Sequence, residues 1–220
     1  MAFIRRRLLT RPALALLDLC CGQGRHLAAL SQDGHTLTGI DSSVCLLALA
    51  AGAVNSDTRL IHADVRSYCF AQRFDVIICM ESSFNFDDSE APSVMRMLAN
   101  SLAKDGVLLL HSFNPPYAKH VLPRRTWTEL DRVFICEGRS YDNNKLVIIQ
   151  ERFTLLENGC YDRFTSEIAM SMREKRNLSV LAAEAGLDLT EVYGSFEEGE
   201  LNDEQPELIC LFRHAQLPAQ

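Results

Sequence analysis

Leu16-Leu-Asp18-Leu-Cys20-Cys21-Gly22-Gln-Gly24-Arg-His26 decides how the rest of the chain is read. A short apolar run, Ala13 to Leu19, carries an acid, Asp18, one residue before its end and passes through two glycines into Arg25 to Ser31, which has helical character. A glycine turn between a strand and a helix lets backbone approach a ligand closely and adopt positive φ. Outward from it the pattern repeats. Thr36 to Ile40 is β-rich and ends at Asp41; Ser43 to Val54 is an Ala/Leu-rich helix that Ser42 or Ser43 can cap; Arg59 to Ala63 is a short strand ending at Asp64. Phe74 to Met80 is a continuous apolar run, as expected of a strand covered on both faces. Asp88 to Leu102 is helical, with Pro92 tolerable in its first turn, and Gly106 to Phe113 is a fifth strand. Strand alternating with helix predicts an α/β fold with a parallel sheet and right-handed crossovers.

The rhythm changes after Asn114-Pro-Pro-Tyr117, which reads as a chain break. Trp127 to Met172 alternates, with turn signals at Asp142-Asn-Asn144 and Asn158-Gly159, and predicts two or three antiparallel strands. Lys175 to Ala185 is helical again, with Gly186 as its C-cap; Leu187 to Tyr193 and Leu208 to Arg213 are two more strands, separated by an acidic loop.

With 220 residues and 47% hydrophobic composition, one domain is expected, with a core over about 13–116 and 174–214 and an insertion over about 117–173. No apolar run reaches membrane-spanning length. A formal charge of −7 argues against a broad nucleic-acid-binding surface. Eight cysteines without a C-x-x-C pair read as reduced, mostly buried thiols, and hence as a cytoplasmic protein. The basic, acid-free Met1 to Pro12 lacks a secretory signal and reads as a solvated arm.

Three successive strands carry an acid at or near the carboxyl end: Asp18, Asp41 and Asp64. Ligands of open α/β sheets bind there. Asp41 follows Gly24 by 17 residues, about where a ribose-binding acid sits in a nucleotide-binding βαβ unit, so an adenosine-type ligand is expected. The dinucleotide pattern fails at Leu27, and no P-loop is present.

The stretch from Leu16 to His26 closely resembles the D-x-x-C-G-x-G motif of class I S-adenosylmethionine-dependent methyltransferases. Gly39-Ile-Asp41-Ser-Ser43, Ala63-Asp64-Val-Arg66, Phe74 to Phe84 and Gly106-Val-Leu-Leu-Leu resemble that superfamily's later motifs and strands. The resemblance implies a Rossmann-like sheet of seven strands, mostly parallel with the last antiparallel, and S-adenosylmethionine as cofactor. It implies that Asp18 organises the glycine loop and helps hold the methionyl ammonium, and that backbone at Cys20, Cys21, Gly22 and Gly24 lies along the methionyl portion. Asp41, beside Ser42, would accept the ribose hydroxyls; Asp64 would meet the adenine amine, with Val65 on the ring. Met80 would bound the methionyl side, and His26 would be a cofactor-edge residue. The superfamily usually has glycine where Cys20 stands.

The implied reaction is methyl transfer to O or N of a small-molecule acceptor by in-line displacement. Glu81 and His111, where the fourth and fifth strands end, are the candidate bases. Phe84, Phe86 and Trp127 are candidates for an acceptor wall or for packing. Asp87 and Asp88 are adjacent, but no second cluster completes an oxygen-ligand site, so no metal is expected. The insertion resembles antiparallel extensions that cover the acceptor site or pair two subunits, so it would serve as a substrate cap and could build a homodimer. Only about a dozen residues precede the first strand, where related enzymes carry helices that close over the cofactor. That shortness motivates a second reading, a catalytically weak cofactor-binding partner. Asn114-Pro-Pro-Tyr117 is identical to the N-P-P-Y motif of nucleic-acid and protein N-methyltransferases, a third reading. It follows the fifth strand rather than the fourth, and is therefore read as a chance loop motif.

Overall fold

A computed structural model describes residues 1–81, 83–142 and 145–216. The parallel strands are β1 (Ala15–Leu19), β2 (Thr36–Asp41), β3 (Arg59–His62), β4 (Phe74–Cys79) and β5 (Leu102–Phe113). With β10 (Leu187–Tyr193) and β11 (Glu207–His214) they make a seven-stranded sheet of order β10-β11-β5-β4-β1-β2-β3. β11 runs antiparallel to both its neighbours, β5 and β10. This is the mostly parallel sheet with an antiparallel last strand that the motif implied.

The apolar runs are explained by layers on both sheet faces. Leu17, Leu19, Ile77, Cys79, Leu108 and Leu110 point into one core, with α4 (Ala91–Ser101) and α6 (Lys175–Glu184) above them. Their alternates Leu16, Val76, Ile78, Val107 and Leu109 point into the other, against α1 (Ala2–Arg7), α2 (Arg25–Leu30) and α3 (Val44–Ala53). α4 buries Val94, Met95, Leu98 and Ala99, one helical stripe, and places Pro92 in its first turn, where the missing N–H costs nothing. Ser43, not Ser42, caps α3 by accepting from Leu46 N at 3.3 Å.

Four expectations are corrected. Met1 to Pro12 is not a solvated arm: α1 buries Phe3 and Ile4, and Leu8 follows them inside. Phe3 packs edge-on to Tyr193 at 5.5 Å and Phe196 at 5.8 Å. The three consecutive arginines between Ile4 and Leu8, Arg5, Arg6 and Arg7, pair with Asp33, Glu198 and Glu191 respectively. Asn114-Pro-Pro-Tyr117 does not merely break the chain; it starts a helix, α5 (Pro115–His120), because proline at the first helical positions sacrifices no bonded N–H.

The alternating segment forms four strands, not two or three: β6 (Arg125–Leu130), β7 (Val133–Asp142), β8 (Lys145–Leu155) and β9 (Tyr161–Ser171), an antiparallel sheet in that order. The additional hairpin, between β6 and β7, turns at Asp131-Arg132, where the sequence carries no Gly, Asn or Pro turn signal. Asn158-Gly159 turns between β8 and β9 as expected, whereas Asn143 and Asn144 of the other turn signal lie outside the described residues. The cysteines are free but not mostly buried: Cys21, Cys79 and Cys210 are buried, and Cys45, Cys69 and Cys160 are exposed. No helix among the described residues is long and apolar enough to cross a membrane.

Candidate active site

The carboxyl ends of β1, β2 and β4 open onto a cleft of about 440 Å³. The loop after β1 is tied to β2 by backbone: Cys21 N–H donates to Ile40 O at 3.0 Å, and Gly24 N–H closes the turn on Cys21 O at 2.9 Å. Cys20 stands at φ +57, in the left-handed region that a side chain disfavours, which explains physically why glycine is usual there. Both adjacent thiols are pushed up to about 12, by burial first and then by nearby carboxylates. They are neutral thiols rather than nucleophiles.

Asp41 is held by the loop it faces. Its Oδ2 accepts from Gly22 N at 2.8 Å and its Oδ1 from Ser43 N at 2.8 Å. A carboxylate has about four lone-pair sites, so two remain for a ligand's hydroxyls. Asp18 is different. It is 1% exposed, lines the cleft, and its buried Oδ2 has no hydrogen-bond partner among the described residues. His26 Nδ1 stands 3.5 Å from that oxygen. Burial pushes the Asp18 carboxyl above the usual carboxylate range, His26 only partly opposing it. An unsatisfied buried carboxylate oxygen costs free energy until a donor arrives.

A second cavity of about 290 Å³ adjoins the first, sharing Arg25, His26, Met80 and Glu81 with it. Its remaining walls include Ile4 of α1, His111 of β5 and Phe196. Glu81 stands at φ +56 just past β4, and its carboxylate pairs with Arg25 across the mouth. Its backbone N–H donates to His111 Nδ1 at 3.0 Å. Nδ1 is therefore unprotonated, and the proton sits on Nε2, which donates to Glu207 Oε2 at 2.5 Å. Both ring nitrogens are engaged, so this arrangement leaves His111 no lone pair for an acceptor's proton.

Of the residues singled out from sequence, the cleft gathers Asp18, Cys20, Cys21 and Gly22 from the first loop and strand, with His26, Asp41 and Met80. It does not gather Gly24, Ser42, Asp64 or Val65. Ser42 is exposed, and its carbonyl meets His62 Nε2 at 3.1 Å. Asp64 is clamped by Arg66, with Nη2 at 2.6 Å, a hydrogen bond that holds its carboxyl down at about 2. Val65 is buried in the core. Phe84 is buried and packs on Phe86 at 5.4 Å, whereas Trp127 is 72% exposed and neither packs nor lines the cleft. Asn114 is buried with Nδ2 donating to Asn202 O at 2.8 Å and Gln205 O at 2.9 Å. Its amide pins the loop before β11 and lines neither of these two cavities.

Sequence reasoning missed Arg25, Phe196 and Glu207. Arg25 had a signal, since it opens the helix after the glycine loop. Phe196 and Glu207 lie more than 80 residues from His111 in sequence, and nothing local marks them.

Residues 16–106 match the methyltransferase domain family. The chain is similar to the dTDP-3-amino-3,6-dideoxy-alpha-D-glucopyranose N,N-dimethyltransferase of Streptomyces fradiae, 32% identical over 53% of this chain and 48% of that protein. The chain thus spans about half the length of that relative. Its fold is similar to an S-adenosylmethionine-dependent methyltransferase from Clostridium acetobutylicum, with TM-score 0.84 and 17% identity over 98% of this chain and 90% of that one. It is similar also to the sugar N-methyltransferase KedS8 from Streptoalloteichus, with TM-score 0.74 and 20% identity over 97% and 84%.

Proposed function

We propose that the chain, whose residues 16–106 match the methyltransferase domain family and which has the class I S-adenosylmethionine-dependent methyltransferase fold, transfers a methyl group to O or N of a small molecule. The observation that carries the reading is Asp18, a buried acid with an unpartnered oxygen beside the cleft. It suits the ammonium of a bound methionyl group, and Asp41 suits ribose hydroxyls. The residues present therefore fit the cofactor. When bound, S-adenosylmethionine supplies a methyl already activated on a sulfonium.

The chain's own work is to hold and align. Asp18 neutralises the ammonium, and the Gly22–Asp41 bond fixes the loop along the cofactor's length. Met80 bounds the end of the cleft that opens on the second cavity, where the acceptor enters. Orientation of this kind can supply about 7–11 kcal/mol. Glu81, half-exposed where the two cavities meet, takes the acceptor's proton; His111 positions it through its backbone N–H. Asp64 reaches the adenine amine only by releasing part of its hold on Arg66, with Val65 below the ring and Ser42 at the ribose edge. The acceptor class supported by the S. fradiae relative and by KedS8 is a sugar amine. The antiparallel sheet covers that acceptor or pairs two copies of the chain.

Calorimetric titration of S-adenosylmethionine and S-adenosylhomocysteine tests the reading, with NAD and Asp41→Ala as controls. Saturable binding of both, absent for NAD and lost in the variant, is expected. Binding that survives in Asp41→Ala, or no binding at all, would sink it.

A further inference from the structure

We infer that a separate cavity of about 340 Å³, between the antiparallel sheet and α6, binds a phosphate-bearing anion. The inference stands apart from the methyl-transfer reading, since none of its lining residues lines the cofactor cleft.

Arg173 lies in the turn from β9 to α6. It lines the cavity although it is only 8% exposed. Its Nη2 donates to Phe86 O and to Asp88 Oδ1, the latter at 3.0 Å, and its guanidinium lies over the Phe84 ring at 5.9 Å. Its Nη1 is buried and has no hydrogen-bond partner among the described residues. A buried, unmade bond of a charged donor is costly, and the arginine fork matches phosphate oxygens in particular.

Two further cations line the same walls. Arg176 comes from the first turn of α6 and Lys145 from the start of β8. Both are exposed, and neither makes an ion pair among the described residues. Asn177 and Ser171 add neutral donors. Against these stand Asp88 on the rim, whose side chain is fully exposed, and Asp87, which interacts electrostatically with Lys145. Asp88 offsets one of the three lining cations. The cavity stays cationic on a chain whose formal charge is −7. Its volume exceeds what one phosphate fills and falls in the range of small-molecule sites.

Calorimetric titration of inorganic phosphate, pyrophosphate and thymidine diphosphate into the full chain at low ionic strength tests the proposal. The double variant Lys145→Gln/Arg176→Gln is the control, because both side chains are exposed and their loss leaves the fold intact by its unchanged urea midpoint. Saturable pyrophosphate or thymidine diphosphate binding, weakened about tenfold or more in the variant, is expected. Tighter binding of thymidine diphosphate than of pyrophosphate assigns the site to a phosphorylated organic molecule; equal affinity assigns it to the free anion. No saturable binding of the three, or binding equal in parent and variant, overturns the proposal.

Discussion

Gly24→Ala separates two reasons for glycine at the head of α2. Gly24 sits at φ +77, and a Cβ there would meet Ala50 Cβ at 3.0 Å, Val54 Cγ1 at 3.3 Å and Ala50 Cα at 3.4 Å. Gly34 has nearly the same backbone, φ +75, yet a Cβ there meets nothing within 4 Å. Left-handed backbone costs an alanine about 1–2 kcal/mol, and the stiffer unfolded chain returns about 0.4–1. Gly34→Ala should therefore lose about 0–1.5 kcal/mol. Gly24→Ala adds a packing cost of about 1–3 kcal/mol, because α3 backbone cannot yield as a side-chain tip can. Urea unfolding of both variants, fitted with a common slope, measures the difference. S-adenosylhomocysteine affinity should fall for Gly24→Ala alone, since Gly24 closes the loop through Cys21 O. Equal midpoints for the two variants would refute the claim that α2 and α3 are in contact through Gly24.

Two more outcomes are expected. Burial raises the Asp18 carboxyl, so the folded state holds its proton more tightly than the unfolded state, and stability falls as pH rises from the ordinary carboxylate range through the raised value. Asp18→Asn should therefore be more stable than the parent at about pH 7, with the gap closing near about pH 4, while S-adenosylmethionine binds more weakly. Thermal unfolding at both pH values with calorimetry checks it, and a variant less stable by the same margin at both would count against the buried charge. Phe3→Ala should cost about 3–5 kcal/mol, as loss of a fully buried phenyl does. A loss under about 1 kcal/mol in urea unfolding would show that α1 is peripheral.

The parallel half of the fold was legible because its strands, covered on both faces, write continuous apolar runs, and their acids and glycines fall at strand ends. Asp18 and Asp41 could be placed for the same reason. The N-terminal helix was not legible: its apolar face is carried by Phe3, Ile4 and Leu8 set among arginines, and its partners are Tyr193 and Phe196. The four-stranded sheet was undercounted because both its faces are partly exposed, leaving no uniform inside and outside for alternation to report. Asn114 and Glu207 act on residues far away in sequence, and His111 shows its engaged nitrogens only once β11 lies beside β5. The pairing of Asp64 with Arg66 was not legible, because the sequence cannot show that Arg66, two residues on, folds back onto it.

The pairing of Arg6 with Glu198, 192 residues apart, sets an order of assembly during synthesis. At about 5–20 residues per second, the first helix waits roughly 10–40 s for its partner segment to be made. The cofactor cleft is built from residues 18–83 and can close early, from local strand pairs. The neighbouring cavity needs Ile4 and Phe196 together, so its wall is among the last surfaces to form on a growing chain. A ribosome-bound intermediate should thus acquire a grip on adenosine-type ligands well before it has anywhere to place a second molecule.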